Sequence, residues 1–279
     1  MVTSEIRPMA LTDIDGLTSM ILADDWGDRR TWLRFVAAHP ACRAAVAVDD
    51  RGQAFATAVA TINGPVAWIG TVWVAPERRR TGIGLALTQA VIDAARAAGC
   101  RTLILVATDA GRPLYERMGF EVATWYLTME APGLPAGPVD PRIRPFRQDD
   151  LAAMGALDAA ATGEDRHHLL DAFATADTTR ILTSPSGRLE GFVVRAPWGG
   201  GATIAGVPSD AMAILEARRR AAGPARRVRA GILAENAEGL ERLEAAGWTE
   251  AWRAPRLIRG DRLEWRPNAI WGQFNHALG

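Results

Sequence analysis

The chain has 279 residues, enough for two domains of ordinary size, and 48% of its residues are hydrophobic, enough for each domain to bury a core. Its 32 basic and 32 acidic residues cancel, which argues against a nucleic-acid partner. No apolar run approaches the ~20 residues of a membrane span, and the first seven residues lack the apolar core of a signal peptide. The two cysteines and four histidines favour neither a disulfide framework nor a metal site. We therefore expect a cytoplasmic protein without a metal, a nucleic acid or a membrane as its partner.

The first half of the chain alternates short apolar strands with amphipathic helices, a pattern typical of the α/β (α+β) class. Helices are predicted across 11–38 and at 82–98 and 110–118, and strands at 4–8, near 44–49, and at 53–63, 66–75, 101–107 and 120–129. The predicted fold is a mixed, largely antiparallel sheet flanked by helices.

The segment that follows the apolar strand Val66–Val74 carries the clearest chemical signal. Pro76 ends the strand, and residues 79–84, Arg-Arg-Thr-Gly-Ile-Gly, then open a helix. A helix N-terminus offers unpaired N–H groups and partial positive charge, and glycines at 82 and 84 let a bulky anion approach the backbone. The segment therefore predicts a pyrophosphate site, to which the two arginines add charge-assisted hydrogen bonds.

A faint internal repeat indicates that the two halves of the chain are two copies of one fold. Ile-Arg-Pro at 6–8 followed by Asp13 corresponds to Ile-Arg-Pro at 143–145 followed by Asp150. The stretch from Ala131 to Pro141 is too rich in proline and glycine to form helix or sheet, so it reads as a linker. The predicted domains are residues 1–132, a linker at 133–141, and residues 142–279.

Two motifs resemble those of the GCN5-related N-acetyltransferases, the GNAT superfamily. Arg79-x-x-Gly82-x-Gly84 after a strand that ends in Val-x-Pro is similar to the family's acyl-CoA signature, and the segment from Asp109 to Phe120 resembles the helix that carries a Leu-Tyr-Glu-x-x-Gly-Phe motif. The resemblance implies tandem GNAT folds and acetyl-CoA as the cofactor. It also implies that Tyr115 is the general acid that protonates the departing CoA thiolate.

The same resemblance assigns the cofactor contacts. The strand backbone pairs with the pantetheine arm, and one of its N–H groups polarises the thioester carbonyl as an oxyanion hole. Thr108 occupies the place where the family often has an asparagine that touches the cofactor. The implied contacts are Val72, Trp73, Val74, Arg79, Arg80, Thr81, Gly82, Ile83, Gly84, Leu85 and Thr108.

The expected function is acetyl transfer from acetyl-CoA to a primary amine by direct attack in a ternary complex. Many relatives carry a glutamate on the strand before the phosphate loop as the base, but residues 66–74 contain no acidic residue. Asp24, Asp25, Glu77 and Asp109 are possible substitutes. An acyltransferase with a longer acyl donor or a hydroxyl acceptor, and a non-catalytic CoA-responsive binding module, remain as alternatives.

The second copy resembles a degenerate acetyltransferase-like domain. Its strand and Pro208 persist, but the glycine loop is absent and Leu243 stands at the tyrosine position. The arginine clusters at 218–220 and 226–229 read as solvated surface, and His276 as a solvated tail residue. Three tryptophans are expected to pack first and to contact the acceptor second, namely Trp26, Trp32 and Trp198.

Overall fold

The computed structural model describes residues 5–279, which form thirteen strands and eight α-helices. Among these helices, none combines the length and the apolar character that crossing a bilayer requires. The elements of the first half are β1 (Glu5–Pro8), α1 (Ile14–Ala23), α2 (Arg30–Ala38), β2 (Cys42–Val48), β3 (Ala54–Asn63), β4 (Val66–Val74), α3 (Ile83–Ala97), β5 (Thr102–Val106), α4 (Arg112–Arg117) and β6 (Glu121–Pro132). The elements of the second half are β7 (Ile143–Pro145), α5 (Leu151–Thr162), α6 (His167–Phe173), β8 (Thr179–Thr183), β9 (Leu189–Arg195), β10 (Gly201–Ala205), α7 (Pro208–Ala222), β11 (Arg227–Leu233), α8 (Ala237–Ala245), β12 (Thr249–Gly260) and β13 (Ile270–Gly272).

The predicted fold class is confirmed. The strands form an eight-stranded sheet, in the order β1-β2-β3-β4-β5-β12-β6-β11, and a five-stranded sheet, in the order β13-β10-β9-β8-β7. All pairings are antiparallel except the one between β4 and β5. Helix α3 covers strands β2 to β4 and buries Leu87 and Val91 against them, as its apolar stripe predicts.

The two copies exchange strands within the larger sheet. Strand β12, from the second copy, lies between β5 and β6 of the first, while β6 lies between β12 and β11 of the second. The pairing of β12 with β5 runs from Arg256 opposite Val106 to Gly260 opposite Thr102. A simple edge-to-edge contact between two complete sheets is therefore not the arrangement, because the larger sheet takes β11 and β12 from the second half.

The internal repeat has a structural basis in a pair of equivalent ion pairs. Arg7 donates two hydrogen bonds of 2.8 Å to Asp13, and Arg144 donates two of 2.7 and 2.6 Å to Asp150. In both copies the aspartate also accepts a hydrogen bond from a backbone N–H three residues earlier. Each ion pair fastens the first strand of its copy to the start of the first long helix, and the neighbouring arginine lowers the pKa of Asp150.

The linker is shorter than the composition suggests. Ala131 and Pro132 belong to β6 and pair with Val228 and Arg227 of β11. A proline is tolerated here because it is the last residue of the strand, where no further hydrogen bond from its backbone nitrogen is required. Residues 133–141 have no helix or strand. The Leu134 N–H donates to the carbonyl of Arg219 at 2.9 Å, so the linker is fixed to α7.

The prediction that the arginine clusters are solvated surface is wrong for Arg218 and Arg219. Arg218 buries its Nη1 without a partner among residues 5–279, and burial lowers the pKa of this guanidinium to about 10. Arg219 stacks on Trp248 at 5.6 Å and donates to the Pro132 carbonyl. Arg227 and Arg229 are exposed, as predicted, and both pair with Glu130 on the neighbouring strand. The long side chains cover the junction between the copies, which a charge count alone does not reveal.

A buried cluster of charges lies where the copies meet. Arg166 and Asp158 form a bidentate pair at 2.6 and 2.9 Å, with side chains 2% and 1% exposed. Glu164 accepts hydrogen bonds from Asn63 of β3 and Trp68 of β4, at 2.7 and 2.8 Å. Burial raises the pKa of Glu164 despite the nearby arginines. The second copy therefore contacts the central strands of the first through specific polar groups.

Candidate active site

Strands β4 and β5 diverge at the centre of the larger sheet. Their parallel pairing covers only Val66 to Trp68, although β4 continues to Val74. On its other side, β4 has a bulge opposite Ala58, where Thr71 adopts a φ of 53°. The backbone of residues 69–74 thus has no strand partner on the β5 side, and it borders a V-shaped opening in which an extended ligand can pair with it.

The N-terminus of α3 lies at the end of this opening. Gly82 precedes the helix with a φ of 88°, a left-handed conformation that favours glycine, and a Cβ at this position would meet no atom within 4 Å. No side chain caps the helix, so the N–H groups of its first turn are unpaired by side chains of the described residues. These features fit an anion such as a pyrophosphate, which would be held by the exposed backbone of residues 82–85.

Arginine 79 is turned toward the protein. Its Nε donates to the carbonyl of Val74 at 3.0 Å, and its Nη2 pairs with Asp24, which also accepts a hydrogen bond of 2.8 Å from Trp73. The Trp73 and Arg79 hydrogen bonds lower the pKa of Asp24. By contrast, Arg80 is exposed, has a φ of 65° and makes no hydrogen bond to residues 5–279. An incoming phosphate can reach Arg80 directly but competes with Asp24 for Arg79.

Tyr115 lies on α4, close to the carboxyl end of β5. It is 9% exposed and packs edge-on against Phe120 at 6.2 Å. Desolvation raises the pKa of its phenol to about 12, and the hydroxyl makes no hydrogen bond within residues 5–279. A protonated hydroxyl without a protein partner is suited to donate its proton to a ligand.

The remaining predicted contacts surround the same opening. Val72, Ile83 and Val74 are half-buried against the core, while Thr81 and Leu85 are exposed. The Thr108 hydroxyl accepts a hydrogen bond of 3.2 Å from the Gly111 N–H, so it orients the turn before α4. The structure thus brings the predicted strand end, glycine loop and tyrosine helix together around one opening. The ligand contacts themselves stay predictions.

Trp32 and Trp198 are packing residues, as expected. The Trp32 indole is buried, donates to the Thr71 hydroxyl at 2.9 Å and meets Trp198 edge-on at 5.2 Å. Trp26, in the loop between α1 and α2, is 37% exposed. The bulge of β4 is therefore held in place by an aromatic contact that joins the two copies.

The prediction that His276 is a solvated tail residue is wrong. Residues 273–279, here called the C-terminal segment, lie across β4, and Leu278 accepts a hydrogen bond of 2.9 Å from Asn63. The His276 ring lies 5.1 Å from Trp252 and 5.9 Å from Tyr126. Burial and the nearby Arg29 lower its pKa to about 4. The apolar residues around it, Phe274, Ala277 and Leu278, are the sequence signal for this burial.

The second copy has no equivalent opening. Strand β10 ends at Ala205 and α7 begins at Pro208, so the chain leaves no room for a glycine loop, as the sequence predicts. Strand β13 pairs with β10 where the parallel neighbour stands in the first copy. Leu243 on α8 is fully buried. Among the described residues, only the first copy combines a glycine loop with a tyrosine helix.

Comparison with known proteins shows what the chain is similar to. Residues 11–120 match the model of the acetyltransferase (GNAT) family. The uncharacterised N-acetyltransferase YitH of Bacillus subtilis (strain 168) is 28% identical over 218 residues, which are 76% of each chain.

Solved structures share the fold over nearly the whole length. A candidate acetyltransferase from Pyrococcus horikoshii has a TM-score of 0.82 at 20% identity, covering 99% of this chain and 96% of its own. A tandem GNAT protein from the clavulanic acid biosynthesis pathway has a TM-score of 0.62 at 20% identity, covering 92% and 98%. Residues 11–120 thus match the acetyltransferase (GNAT) family, which supports an acyltransferase, and the chain as a whole shares the fold of these solved structures.

Proposed function

We propose that the chain is an acetyl-CoA-dependent N-acetyltransferase that acetylates a primary amine by direct attack in a ternary complex. The observation that carries the proposal is the uncapped N-terminus of α3, placed at the end of the opening between β4 and β5. A pyrophosphate at the helix and a pantetheine arm in the opening together match the shape and polarity of coenzyme A. The family's use of acetyl-CoA as a co-substrate supports the same assignment.

The roles follow the order of groups along the opening. Backbone N–H groups and side chains of residues 79–85 hold the pyrophosphate, and the backbone of Val72, Trp73 and Val74 holds the pantetheine arm. An N–H near Val74 stabilises the oxyanion that forms when the amine attacks the carbonyl carbon. The carbon–sulfur bond then breaks, and Tyr115 gives its proton to the sulfur. The nitrogen loses one proton as the amide forms, and an equal proton from solvent restores the phenol.

We also propose that the cofactor site belongs to residues 1–132 and that residues 142–279, behind the linker at 133–141, hold no second one. The second half instead supplies β12 as a neighbour of β5 and the C-terminal segment as a cover for β4. The acceptor is thus expected to bind at a place that both halves build.

A matched pair of variants tests the cofactor site. Thr81→Glu puts a carboxylate on the exposed loop before α3, where it favours the helix but repels a pyrophosphate. We expect acetyl-CoA affinity, measured by calorimetry, to fall about tenfold, from ~1–2 kcal/mol of electrostatic interaction. Ser209→Glu makes the same change at the exposed start of α7, which we expect to leave acetyl-CoA binding unchanged. Equal affinities in the two variants would place the cofactor elsewhere.

A panel of acceptors tests the reaction. Release of free CoA thiol is measured with amino acids, polyamines, aminoglycosides, peptide N-termini and hydroxyl compounds. Acetyl-CoA is compared with longer acyl-CoA thioesters. The proposal predicts amine-dependent thiol release that is fastest with acetyl-CoA; release only with hydroxyl acceptors, or only with longer thioesters, would contradict it.

A further inference from the structure

The bulge of β4 contains a residue in an unfavourable backbone conformation. Thr71 has a φ of 53°, in the left-handed region that glycine adopts freely but a β-branched residue does not. Among residues 5–279, the other non-glycine residues with a positive φ are Asp25 and Arg80, and both lie in loops. Thr71 thus stands where a bulge of this kind usually has glycine, and its conformation needs support from the surrounding structure.

The backbone after the bulge turns an amide toward the opening. The Ala75 N–H donates to the carbonyl of Phe55, just before the pairing of β3 with β4 begins, at 3.0 Å. Because successive amides of a strand point to opposite sides, the preceding N–H, that of Val74, points away from β3. On that side β5 pairs with β4 only as far as Trp68, so the Val74 N–H faces the opening.

The extra residue of the bulge produces this direction. Residues 57 and 59 of β3 lie opposite residues 73 and 70 of β4, so two steps along β3 match three steps along β4. The alternation of amides that face β3 and amides that face the opening is therefore shifted by one residue across the bulge. If β4 continued from Gly70 without the bulge, the Val74 N–H would face β3 instead.

A tryptophan of α2 supports the bulge. The Trp32 indole is buried and donates to the Thr71 hydroxyl at 2.9 Å. The Trp32 ring meets Trp198 edge-on at 5.2 Å, and the Trp198 indole donates to the carbonyl of Phe274 at 3.3 Å. Trp198 and Phe274 belong to the second half of the chain. The indole that holds the side chain of Thr71 is thus itself held by the second half.

We propose that Trp32 is a positioning residue for acetyl transfer, because its hydrogen bond to Thr71 keeps β4 in the conformation that points the Val74 N–H into the opening. The proposal rests on the N-acetyltransferase function above. Trp32 acts through Thr71 and not on the cofactor. Its effect falls on turnover, since the oxyanion exists only during the reaction, while the pyrophosphate site at α3 does not depend on the bulge. Through Trp198, the second half contributes to the same step.

Two backgrounds test the proposal. Trp32→Phe removes the hydrogen-bond donor and keeps an aromatic ring in the core. With the best amine of the panel we expect kcat to fall about tenfold, while the Kd of acetyl-CoA, measured by calorimetry, changes less than about threefold. In a Thr71→Gly background the same change should alter kcat less than about threefold, because glycine adopts the left-handed conformation without support.

Trp271→Phe is the matched control. Trp271 is also buried, and its indole donates a hydrogen bond of 3.2 Å to the carbonyl of Ala205 in the smaller sheet. This variant loses the same kind of hydrogen bond far along the chain from the bulge, so it should leave kcat unchanged.

Two further variants change the acceptor of the hydrogen bond and leave α2 intact. Thr71→Val keeps the branched side chain but removes the hydroxyl, so it should lower kcat as Trp32→Phe does. Thr71→Ser keeps the hydroxyl and should stay within about threefold of wild type.

The outcomes separate a positioning role from a structural one. An unchanged kcat in Trp32→Phe, an equal fall in both backgrounds, or an equal fall in Trp271→Phe would overturn the proposal. If Trp32→Phe does not fold, Thr71→Val decides in its place, and full turnover of that variant would reject the role of the hydrogen bond. If the wild-type protein binds acetyl-CoA but releases no thiol with any acceptor, the N-acetyltransferase function fails, and the positioning role fails with it.

Discussion

Replacing Gly70 with alanine is expected to disturb the contact between β4 and the C-terminal segment. The new Cβ would overlap the Ala277 Cβ and lie 2.9 Å from the Ala277 Cα, closer than side-chain carbons approach one another. Because Phe274 and Leu278 are fully buried on either side of Ala277, the segment cannot shift without loosening both. The segment or the strand must therefore move.

The magnitude follows from the packing. Overfilling a tight contact costs about 1–3 kcal/mol, and alanine in place of glycine recovers about 0.4–1 kcal/mol through the unfolded chain. The net loss should be ~1–2 kcal/mol in the free energy of unfolding, which corresponds to a fall in Tm on the order of 5 °C. Urea denaturation followed by the fluorescence of the ten tryptophans measures it.

Two further variants identify the cause. Gly16→Ala, on α1, adds a Cβ that meets nothing within 4 Å, so it should stabilise the chain by up to about 1 kcal/mol. Ala277→Gly, combined with Gly70→Ala, removes one of the two overlapping groups and should restore part of the lost stability, with a coupling of about 1 kcal/mol. An unchanged stability in Gly70→Ala, or no recovery in the double variant, would refute the reasoning.

Three other predictions concern the site and the junction. Tyr115→Phe should lower kcat about 10²-fold or more, because the variant cannot give a proton to the CoA sulfur. Burial raises the pKa of this phenol to about 12, so the pH–rate profile of the wild type should show no loss of the acid until the pH approaches that value. Asp24→Asn frees Arg79 from a partly exposed and therefore weak ion pair, so calorimetry should show acetyl-CoA binding that is tighter by up to about fivefold. Weaker binding would mean that Asp24 holds Arg79 in a productive position. Asp158→Asn leaves the buried Arg166 without its charge partner, so the free energy of unfolding, measured by urea denaturation, should fall by about 3 kcal/mol. A change below ~1 kcal/mol would mean that water reaches the guanidinium.

The parts of the site that depend on local sequence could be predicted from it. The strand end at Pro76, the left-handed Gly82 and the apolar stripe of α3 are fixed by residues close together in the chain, and the predicted helix 82–98 agrees with the observed Ile83–Ala97. The loss of the loop before Pro208 could be predicted for the same reason. In both cases one or two residues decide the backbone conformation.

The parts that depend on distant pairing could not be predicted in this way. The sequence of β12 does not indicate which neighbours the strand takes, and its partners β5 and β6 begin roughly 150 and 130 residues earlier. The prediction for His276 is wrong because the apolar residues beside it indicate that the segment is buried but not which elements cover it. Arg218 and Arg219 were misjudged for a related reason, since an arginine stem packs on tryptophan as readily as it extends into water.

The exchange of strands also dictates an order of events while the protein is being made. The two strands that border the opening, β4 and β5, have been synthesised once β5 is complete, but β5 has no antiparallel neighbour until β12 emerges, near the end of translation. Until then the edge of β5 is exposed, as is one edge of β6, and such edges recruit other strands. Pairing over this sequence separation is slow to form, so the nascent first half should depend on chaperones or on rapid completion of the chain. A stop codon placed before residue 249 should therefore yield an aggregating fragment instead of a smaller enzyme.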